Sequence, residues 1–276
     1  MEFVCRAGRW EDLPRLLEIV QGATPGLLYL EDVKEEFFDP DRGELIVAET
    51  EGVPAGFVHI SLQADGAAWL ETLRVDPAYQ KQGCGTALWK AMMTAAEKYR
   101  VPAMRMYTGR TNIASYTLAR RNGLDIAAET LEATLLAQHV EKAASPAFEP
   151  LDFPQAAALL SKYWAGFDEV ACLNRTFYKG NAATVRMLCG EGMVYGCEDS
   201  VVVLGRRFKN VDALHIGLFG GDVAACLAFA KQKLLETGLS KLVCMIPLHR
   251  EDLKAALADA GFTVPERSII MMERTF

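Results

Sequence analysis

A pair of glycines marks the point where a strand pattern gives way to a helix pattern. Residues 69–75 (WLETLRV) have the composition of a strand, and residues 76–85 form a turn that contains Gly83 and Gly85. Apolar residues then recur at helical spacing from Thr86. The N–H groups of a helix's first turn and the helix dipole attract anions. Because glycine lets a phosphate approach the backbone closely, this stretch predicts a phosphate-binding loop.

The spacing of the loop residues indicates which phosphate loop this is. It fits neither GxxxxGK[ST] nor GxGxxG, which excludes a Walker loop and leaves a dinucleotide fingerprint unsupported. Instead, residues 80–85 read QKQGCG after a strand that ends in VDP at residues 75–77. This arrangement resembles the acetyl-CoA loop of the GNAT family of N-acetyltransferases, whose pattern is [RQ]xxGx[GA]. The alternative is an ordinary strand-to-helix turn that uses glycine for tight packing.

The resemblance implies acetyl-CoA as the co-substrate and assigns its contacts. Main-chain groups of residues 73–75 would meet the pantetheine amides and the developing oxyanion. Lys81 and Gln82 would contact the pyrophosphate or the adenosine phosphate, with a solvated surface as the alternative. Cys84 stands at a helix N-terminus beside Lys81, which we expect to lower the pKa of its thiol, but its place in the loop argues against a nucleophile. The implied acetyl-CoA-binding residues are Leu73, Arg74, Val75, Gln80, Lys81, Gln82, Gly83, Cys84, Gly85, Thr86, Asn112 and Ser115.

Acyl transfer to an amine also needs a group that accepts the amine proton. Glu71 is the first candidate, because GNAT members carry a glutamate early in this strand and a partly desolvated carboxylate has a raised pKa. A structural carboxylate paired with Arg74 or a neighbouring strand is the alternative. His59, in a Gly-Phe-Val-His-Ile stretch, is the second candidate, set against the role of a hydrogen-bonded core residue.

The GNAT family often protonates the leaving thiolate with a tyrosine in a later helix. Asn112, Ser115 and Gly123 match the motif of that helix, but Ala119 occupies the tyrosine position. Tyr116 lies one turn earlier and is the candidate acid, with a packing or acceptor-facing role as the alternative. The thiolate can also take its proton from water, since the pKa of a free thiol is about 8.5.

Composition and charge limit the class of protein. The chain has 276 residues, a net charge of -7 and 51% hydrophobic residues, which is typical of a globular protein. No apolar run approaches the roughly 18 residues of a membrane span, and the charged residues 1–20 do not resemble a signal peptide. The acidic balance argues against nucleic acid as a partner. We expect a cytoplasmic protein with no membrane partner.

Cysteine and histidine usage agrees with that expectation. The seven cysteines include no CxxC pair, and several lie in apolar runs, which is typical of reduced, buried thiols. The four histidines are scattered along the chain. The sequence therefore predicts no metal site.

The order of elements predicts an α/β protein with a mixed sheet, built from two copies of one fold. Residues 1–137 follow the order β-α-α-β-β-β-α-β-α-β, which is the GNAT order, and residues 138–147 read as a linker. Residues 148–276 repeat much of this order, so we predict two tandem GNAT-like domains. The second is degenerate, because its corresponding turn reads GGD at residues 220–222 and has no basic residue. We expect this aspartate to cap the following helix.

Together, these patterns predict an N-acetyltransferase that moves an acetyl group directly from acetyl-CoA to a primary amine in the first domain. The acceptor is a small amine, an amino acid or a peptide N-terminus. Acidic residues within 31–41 favour a cationic acceptor, with a solvated helix face as the alternative. The competing interpretations are a non-catalytic acyl-CoA-binding or interaction protein, which Ala119 supports, and an acyltransferase that uses a longer acyl group. Monomer and homodimer both stay open.

Overall fold

The computed structural model describes residues 1–25, 29–141, 146–208 and 211–276. Internal contacts divide the chain into two units. The first unit consists of Met1–Met106, Ala119–Leu124 and Glu273–Phe276, and the second consists of Tyr107–Leu118 and Asp125–Met272. The domain limits 1–137 and 148–276 stay predictions, and residues 142–145 of the predicted linker 138–147 lie outside the described residues.

The helices lie where apolar residues recur every three to four positions. They are α1 (Leu13–Ala23), α2 (Tyr29–Phe37), α3 (Cys84–Tyr99), α4 (Ile113–Arg121), α5 (Phe153–Leu160), α6 (Ala182–Gly190), α7 (Val223–Thr237) and α8 (Glu251–Asp259). In α1, for example, Leu16, Ile19 and Val20 are buried on one face. Helix α3 begins at Cys84, two residues before the start that the sequence predicts, so Gly85 belongs to the helix.

The strands fall mainly where β-branched and aromatic residues cluster. They are β1 (Val4–Ala7), β2 (Gly43–Thr50), β3 (Val53–Leu62), β4 (Ala68–Val75), β5 (Ala103–Gly109), β6 (Asp125–Leu136), β7 (Glu149–Pro150), β8 (Val170–Leu173), β9 (Thr176–Lys179), β10 (Val194–Cys197), β11 (Ser200–Gly205), β12 (Leu214–Gly220), β13 (Lys241–Pro247) and β14 (Ile269–Thr275).

In the first unit, β1 to β4 pair antiparallel in chain order, and β4 pairs parallel with β5. Helices α1 and α3 pack against β3 and β4. Gly56 and His59 on β3 point to opposite faces because side chains alternate along a strand. The Gly56 face meets α3 at Cys84 and Leu88, and the His59 face meets α2 at Phe37. The two faces of β3 therefore serve different helices.

The second unit repeats this plan. Strand β12 pairs parallel with β13 and antiparallel with β11, and the sheet continues through β10 to β7 on one side and from β13 to β6 on the other. Helix α7 packs against β11, β12 and β13. The hairpin β8–β9 and helix α6 are not predicted from the sequence. Four-residue strands are too short to show clear alternation, which explains the missed hairpin.

A bulge interrupts the pairing of corresponding strands in the two units. In the first unit, Phe57 pairs with Arg74 and His59 with Glu71, so β4 carries one more residue than β3 between these pairs. In the second unit, the register shifts between Val203 and Leu204 of β11 in its pairing with β12. Bulges bend a strand and re-aim its groups. Both units therefore carry a bent strand before the helix that follows. Among the described residues, no helix is long and apolar enough to cross a membrane.

Candidate functional site

The loop before α3 ends in a helix N-terminus that carries no side-chain cap. Gly83 is the N-cap residue, with a left-handed backbone at φ 99°. A Cβ added at Gly83 would meet no atom within 4 Å. In the described part of the chain, the N–H groups of Cys84, Gly85 and Thr86 donate to no main-chain carbonyl. Anions bind at such uncapped helix ends, and the predicted phosphate contact at this end of α3 stays a prediction.

The start of this loop is fixed by Asp76. One oxygen of its carboxylate accepts a hydrogen bond from Ala78 N at 2.8 Å, and the other pairs with the Arg15 guanidinium of α1. Further along, Gln80 Nε2 donates to Val75 O at 3.1 Å and Gln82 Nε2 donates to Ala78 O at 2.6 Å. These two amides therefore shape the loop through its own carbonyls.

Lys81 is the exposed cation of the loop. It has a left-handed backbone at φ 59°, which is uncommon for a residue with a side chain. Its predicted contact with a phosphate stays a prediction, as do the contacts of Gln80 and Gln82.

The expectation for the Cys84 thiol is wrong. The side chain is 1% exposed, and it points beneath Gly56, where an added Cβ would lie 3.0 Å from Sγ. Burial raises the pKa of the Cys84 thiol to about 11. Desolvation of the thiolate thus outweighs the helix N-terminus and Lys81, which argues against Cys84 as a nucleophile.

Strand β4 changes its hydrogen bonding where the predicted pantetheine contacts begin. Thr72 has φ 59°, a strained conformation for a β-branched residue that often accompanies functional sites. In the described residues, the parallel pairing with β5 covers Ala68 to Leu70 and ends before residues 73–75. Residues 73–75 thus lie beyond the pairing with β5, and the predicted pantetheine contacts of Leu73, Arg74 and Val75 stay predictions.

The structure brings together the two residues that the sequence proposes as the base. Glu71 is 7% exposed and His59 is 2% exposed, and His59 Nδ1 lies 3.2 Å from Glu71 Oε1. The ring of His59 stacks on Phe37 of α2, with centroids 4.0 Å apart and planes 10° apart. The proposed pairing of Glu71 with a neighbouring strand is also present, because His59 lies on β3.

Two contacts of Glu71 were missed from the sequence. Ser61 Oγ donates to Glu71 Oε1, and Tyr29 OH donates to Oε2 at 3.2 Å. Ser61 lies two residues after His59, so strand alternation predicts that the two share a face, and this signal was available. Tyr29 lies on α2, and its distance along the chain gives no local signal.

Asn112, Ser115 and Tyr116 belong to the second unit, whereas Glu71 and the loop belong to the first. Asn112 Oδ1 accepts a hydrogen bond from Ser115 N at 3.2 Å, so the asparagine caps α4. The Arg110 guanidinium lies 5.5 Å from the centre of the Tyr116 ring. Ala119, at the family's tyrosine position, is fully buried. The acetyl-CoA contacts of Asn112 and Ser115 and the acid role of Tyr116 stay predictions.

The acidic segment after the first helix is partly neutralised. Lys34 pairs with Glu31 at 2.8 Å, and Arg42 lies 3.0 Å from Glu36 and 3.5 Å from Asp39. These exposed pairs contribute little to stability, but they reduce the negative potential that would attract a cationic acceptor. Within residues 1–25, 29–141, 146–208 and 211–276, no group of three or more His, Cys, Asp or Glu side chains could hold a metal ion.

The corresponding junction of the second unit is closed. Asp222 caps α7, because its Oδ1 accepts a hydrogen bond from Ala225 N at 3.0 Å, which confirms the predicted cap. A Cβ at Gly220 would overlap the Tyr163 ring, and one at Gly221 would lie 2.6 Å from Ser200 Cα. Side chains of this chain thus occupy the place where the first unit is open.

Comparison with known proteins finds a family match in the N-terminal part of the chain. Residues 13–124 match the model of the acetyltransferase (GNAT) family. No curated protein matches the chain.

Solved structures extend the fold comparison to nearly the whole chain. A proposed acetyltransferase from Pyrococcus horikoshii is similar at a TM-score of 0.66 and 14% identity, covering 99% of this chain and 89% of that one. A second proposed acetyltransferase, from Thermoplasma acidophilum, is similar at a TM-score of 0.65 and 15% identity, and the match covers 99% of this chain and 100% of that one. A GCN5-related N-acetyltransferase from Sphaerobacter thermophilus is similar at a TM-score of 0.65 and 13% identity, and the match covers 99% of this chain and 95% of that one. The likeness concerns the fold, and it confirms a mixed α/β architecture with two GNAT-like domains.

Proposed function

Because residues 13–124 form a domain of the GNAT acetyltransferase family, we propose that the first unit moves an acetyl group from acetyl-CoA to a primary amine by direct transfer. One arrangement carries the proposal. An uncapped helix end at Gly83 follows a bulged strand that holds the buried pair of Glu71 and His59. The first feature suits a pyrophosphate, and the second suits removal of a proton from an amine.

Each step of the transfer has a group suited to it. The Glu71–His59 pair takes the proton of the amine, whose nitrogen attacks the thioester carbonyl. N–H groups of residues 73–75 stabilise the negative charge that develops on the carbonyl oxygen. The carbon–sulfur bond then breaks, and the thiolate of CoA takes a proton from solvent, since Ala119 supplies no acid.

The acceptor belongs to one of three classes: small amines, amino acids or peptide N-termini. The ion pairs of Lys34 and Arg42 weaken the argument for a cationic acceptor. Turnover of acetyl-CoA against a panel of these amines, followed by detection of free CoA thiol, tests the proposal. Release of thiol that depends on one amine class is the expected result. Tight binding of acetyl-CoA without release would favour the non-catalytic acyl-CoA-binding protein, and release only with longer chains would favour another acyl group.

A substitution in the buried pair tests its part in the reaction. Glu71→Gln keeps the side-chain size and removes the charge, and general base catalysis is worth about 10²–10⁴-fold. We expect kcat to fall by about that factor, with an unchanged KM for acetyl-CoA and partial rescue at higher pH, where more of the amine is already neutral.

The control for this experiment is Glu44→Gln. Glu44 lies on β2 of the same unit, where its carboxylate pairs with Lys98 at 3.0 Å, and its loss should leave kcat unchanged. If Glu71→Gln instead raises KM for the acceptor and spares kcat, then Glu71 binds the acceptor and has no part in removing its proton.

A further inference from the structure

We propose that His59 Nε2 is the atom that takes the amine proton, and that Glu71 is a positioning residue that orients the imidazole. This inference rests on the proposed function and assigns a role to each member of the buried pair. It also gives Ser61 and Tyr29 a place in the site, as the residues that hold Glu71.

The carboxylate of Glu71 is already engaged by donors. Oε1 lies within hydrogen-bond distance of Ser61 Oγ and His59 Nδ1, and Oε2 accepts from Tyr29 OH. Hydrogen bonds to an ionised carboxylate favour that form over the protonated form. Donors on both oxygens therefore make Glu71 a weaker proton acceptor than a carboxylate that faces an open cavity.

The contact with Glu71 points to Nε2 as the available nitrogen of His59. An ionised carboxylate only accepts hydrogen bonds, so Nδ1 must carry the hydrogen in the bond to Glu71. In a neutral imidazole, Nε2 then bears the lone pair. Nε2 is buried and has no hydrogen-bond partner among the described residues. A buried polar atom left without a partner is costly, so it calls for an explanation.

Neighbouring residues of three elements hold the ring of His59. Phe37 of α2 stacks on one face of the ring, and Leu45 of β2 is the strand partner of His59. Among the described residues, Glu71 of β4 contacts the ring, and Tyr29 of α2 contacts Glu71. The imidazolium formed by proton transfer would thus meet the Glu71 carboxylate, which stabilises it.

The chemical step balances without another reactant. The amine nitrogen forms a bond to the carbonyl carbon and gives its proton to Nε2, directly or through one water. The carbon–sulfur bond breaks, and the electron pair leaves on the CoA sulfur. The imidazolium releases its proton to solvent, and the thiolate takes one up. The products are the amide and free CoA, and the enzyme returns to its starting state.

The test compares the pH dependence of kcat/KM, calculated for the neutral form of the amine, in His59→Asn and Glu71→Gln. Asn keeps an N–H near the position of Nδ1 and removes Nε2. We expect His59→Asn to lower kcat by about 10²–10⁴-fold and to lose the acid limb of the profile, while acetyl-CoA affinity is retained. Glu71→Gln should lower kcat but keep an acid limb, because His59 is still present. An acid limb that survives in His59→Asn, or disappears in Glu71→Gln, overturns the proposal.

Two further measurements separate this inference from folding effects and from the proposed function. His215→Asn is the matched control, since His215 of the second unit is also buried with an unpartnered Nε2 among the described residues; it should leave kcat unchanged. Nitrogen-15 NMR of the unaltered protein, assigned with His59→Asn, should show the Nδ1–H tautomer, and an Nε2–H tautomer contradicts the proposal. If the unaltered protein acetylates no amine, the proposed function itself fails.

Discussion

The two strand-to-helix junctions of this chain share a scaffold and differ in what fills them. Each joins a bulged strand to a helix through glycine, β4 to α3 in the first unit and β12 to α7 in the second. The first helix end is uncapped and open at Gly83, whereas the second is capped by Asp222 and covered by Tyr163. The same scaffold can therefore leave a helix end open or fill the space with its own side chains.

The difference follows from the orphan N–H groups at a helix N-terminus. A side-chain cap satisfies one of them and contributes about 0.5–2 kcal/mol. Helix α7 gains this stabilisation through Asp222, whose own N–H donates to Ser200 Oγ at 3.0 Å. Helix α3 lacks it. The first unit thus carries a helix end that an anion could complete, which is the physical basis for placing acetyl-CoA there.

The largest expected effect comes from blocking the open junction. Gly83→Val places branched carbons where the phosphates would lie, so we expect the loss of two or more charge-assisted hydrogen bonds of about 1.5–3 kcal/mol each. Acetyl-CoA affinity should fall roughly 10³-fold, measured by calorimetry.

The matched control for Gly83→Val lies in the second unit. Gly238 also has a left-handed backbone, at φ 69°, and a Cβ added there would likewise meet no atom within 4 Å. Gly238→Val should cost similar backbone strain and leave acetyl-CoA affinity unchanged. Equal loss of binding in both variants would show that strain, rather than the blocked phosphate position, is responsible.

The second prediction concerns the strand before the closed junction. His215 on β12 is 5% exposed, and burial lowers its pKa from 6.5 to about 4, although nearby Glu132 favours the charged form. Between these two pH values the unfolded chain binds a proton that the folded chain does not. The free energy of unfolding therefore keeps its full value above pH 6.5 and decreases as the pH drops toward 4, by up to about 3 kcal/mol.

Urea unfolding of the unaltered protein and of His215→Gln at several pH values measures this contribution. The variant should lose less stability than the unaltered protein over the interval from pH 6.5 to about 4. Parallel curves for the two proteins would mean that His215 does not titrate in this way.

The smallest expected effect comes from removing the cap of the closed junction. Asp222→Ala leaves Ala225 N without its acceptor, so we expect a loss of about 0.5–2 kcal/mol of stability. Acetyl-CoA binding should not change, because Tyr163 still covers Gly220. Thermal unfolding and calorimetry on the same variant check the two parts. New acetyl-CoA binding in Asp222→Ala would mean that the cap alone closes this junction.

The comparison also shows what could be predicted from the sequence. The glycine spacing at residues 83–85 and the aspartate at 222 are local signals, and both junctions were predicted from them. The left-handed backbone of Thr72 could not be predicted from the sequence. Steric contacts disfavour this conformation for threonine, and only the surrounding pairing imposes it. The burial of Cys84 was missed for a similar reason, since it depends on packing beneath Gly56.

Contacts between distant parts of the chain set the remaining limit. The pairing of His59 with Glu71 follows from strand register, which a bulge shifts by one residue. The hydrogen bond from Tyr29 joins helix α2 to strand β4, and no periodicity in the sequence predicts it. Candidate residues were therefore accessible from the sequence, whereas their mutual arrangement required the structure.

Amide hydrogen exchange with and without acetyl-CoA tests the central claim most directly, because it reports on both helix ends in one experiment. We expect slower exchange of the N–H groups of Cys84, Gly85 and Thr86 at the start of α3 when acetyl-CoA is present. We expect no change for residues 223–225 at the start of α7. Protection at residues 223–225, or unchanged exchange at residues 84–86 with saturating acetyl-CoA, would contradict the assignment of the open junction as the acetyl-CoA site.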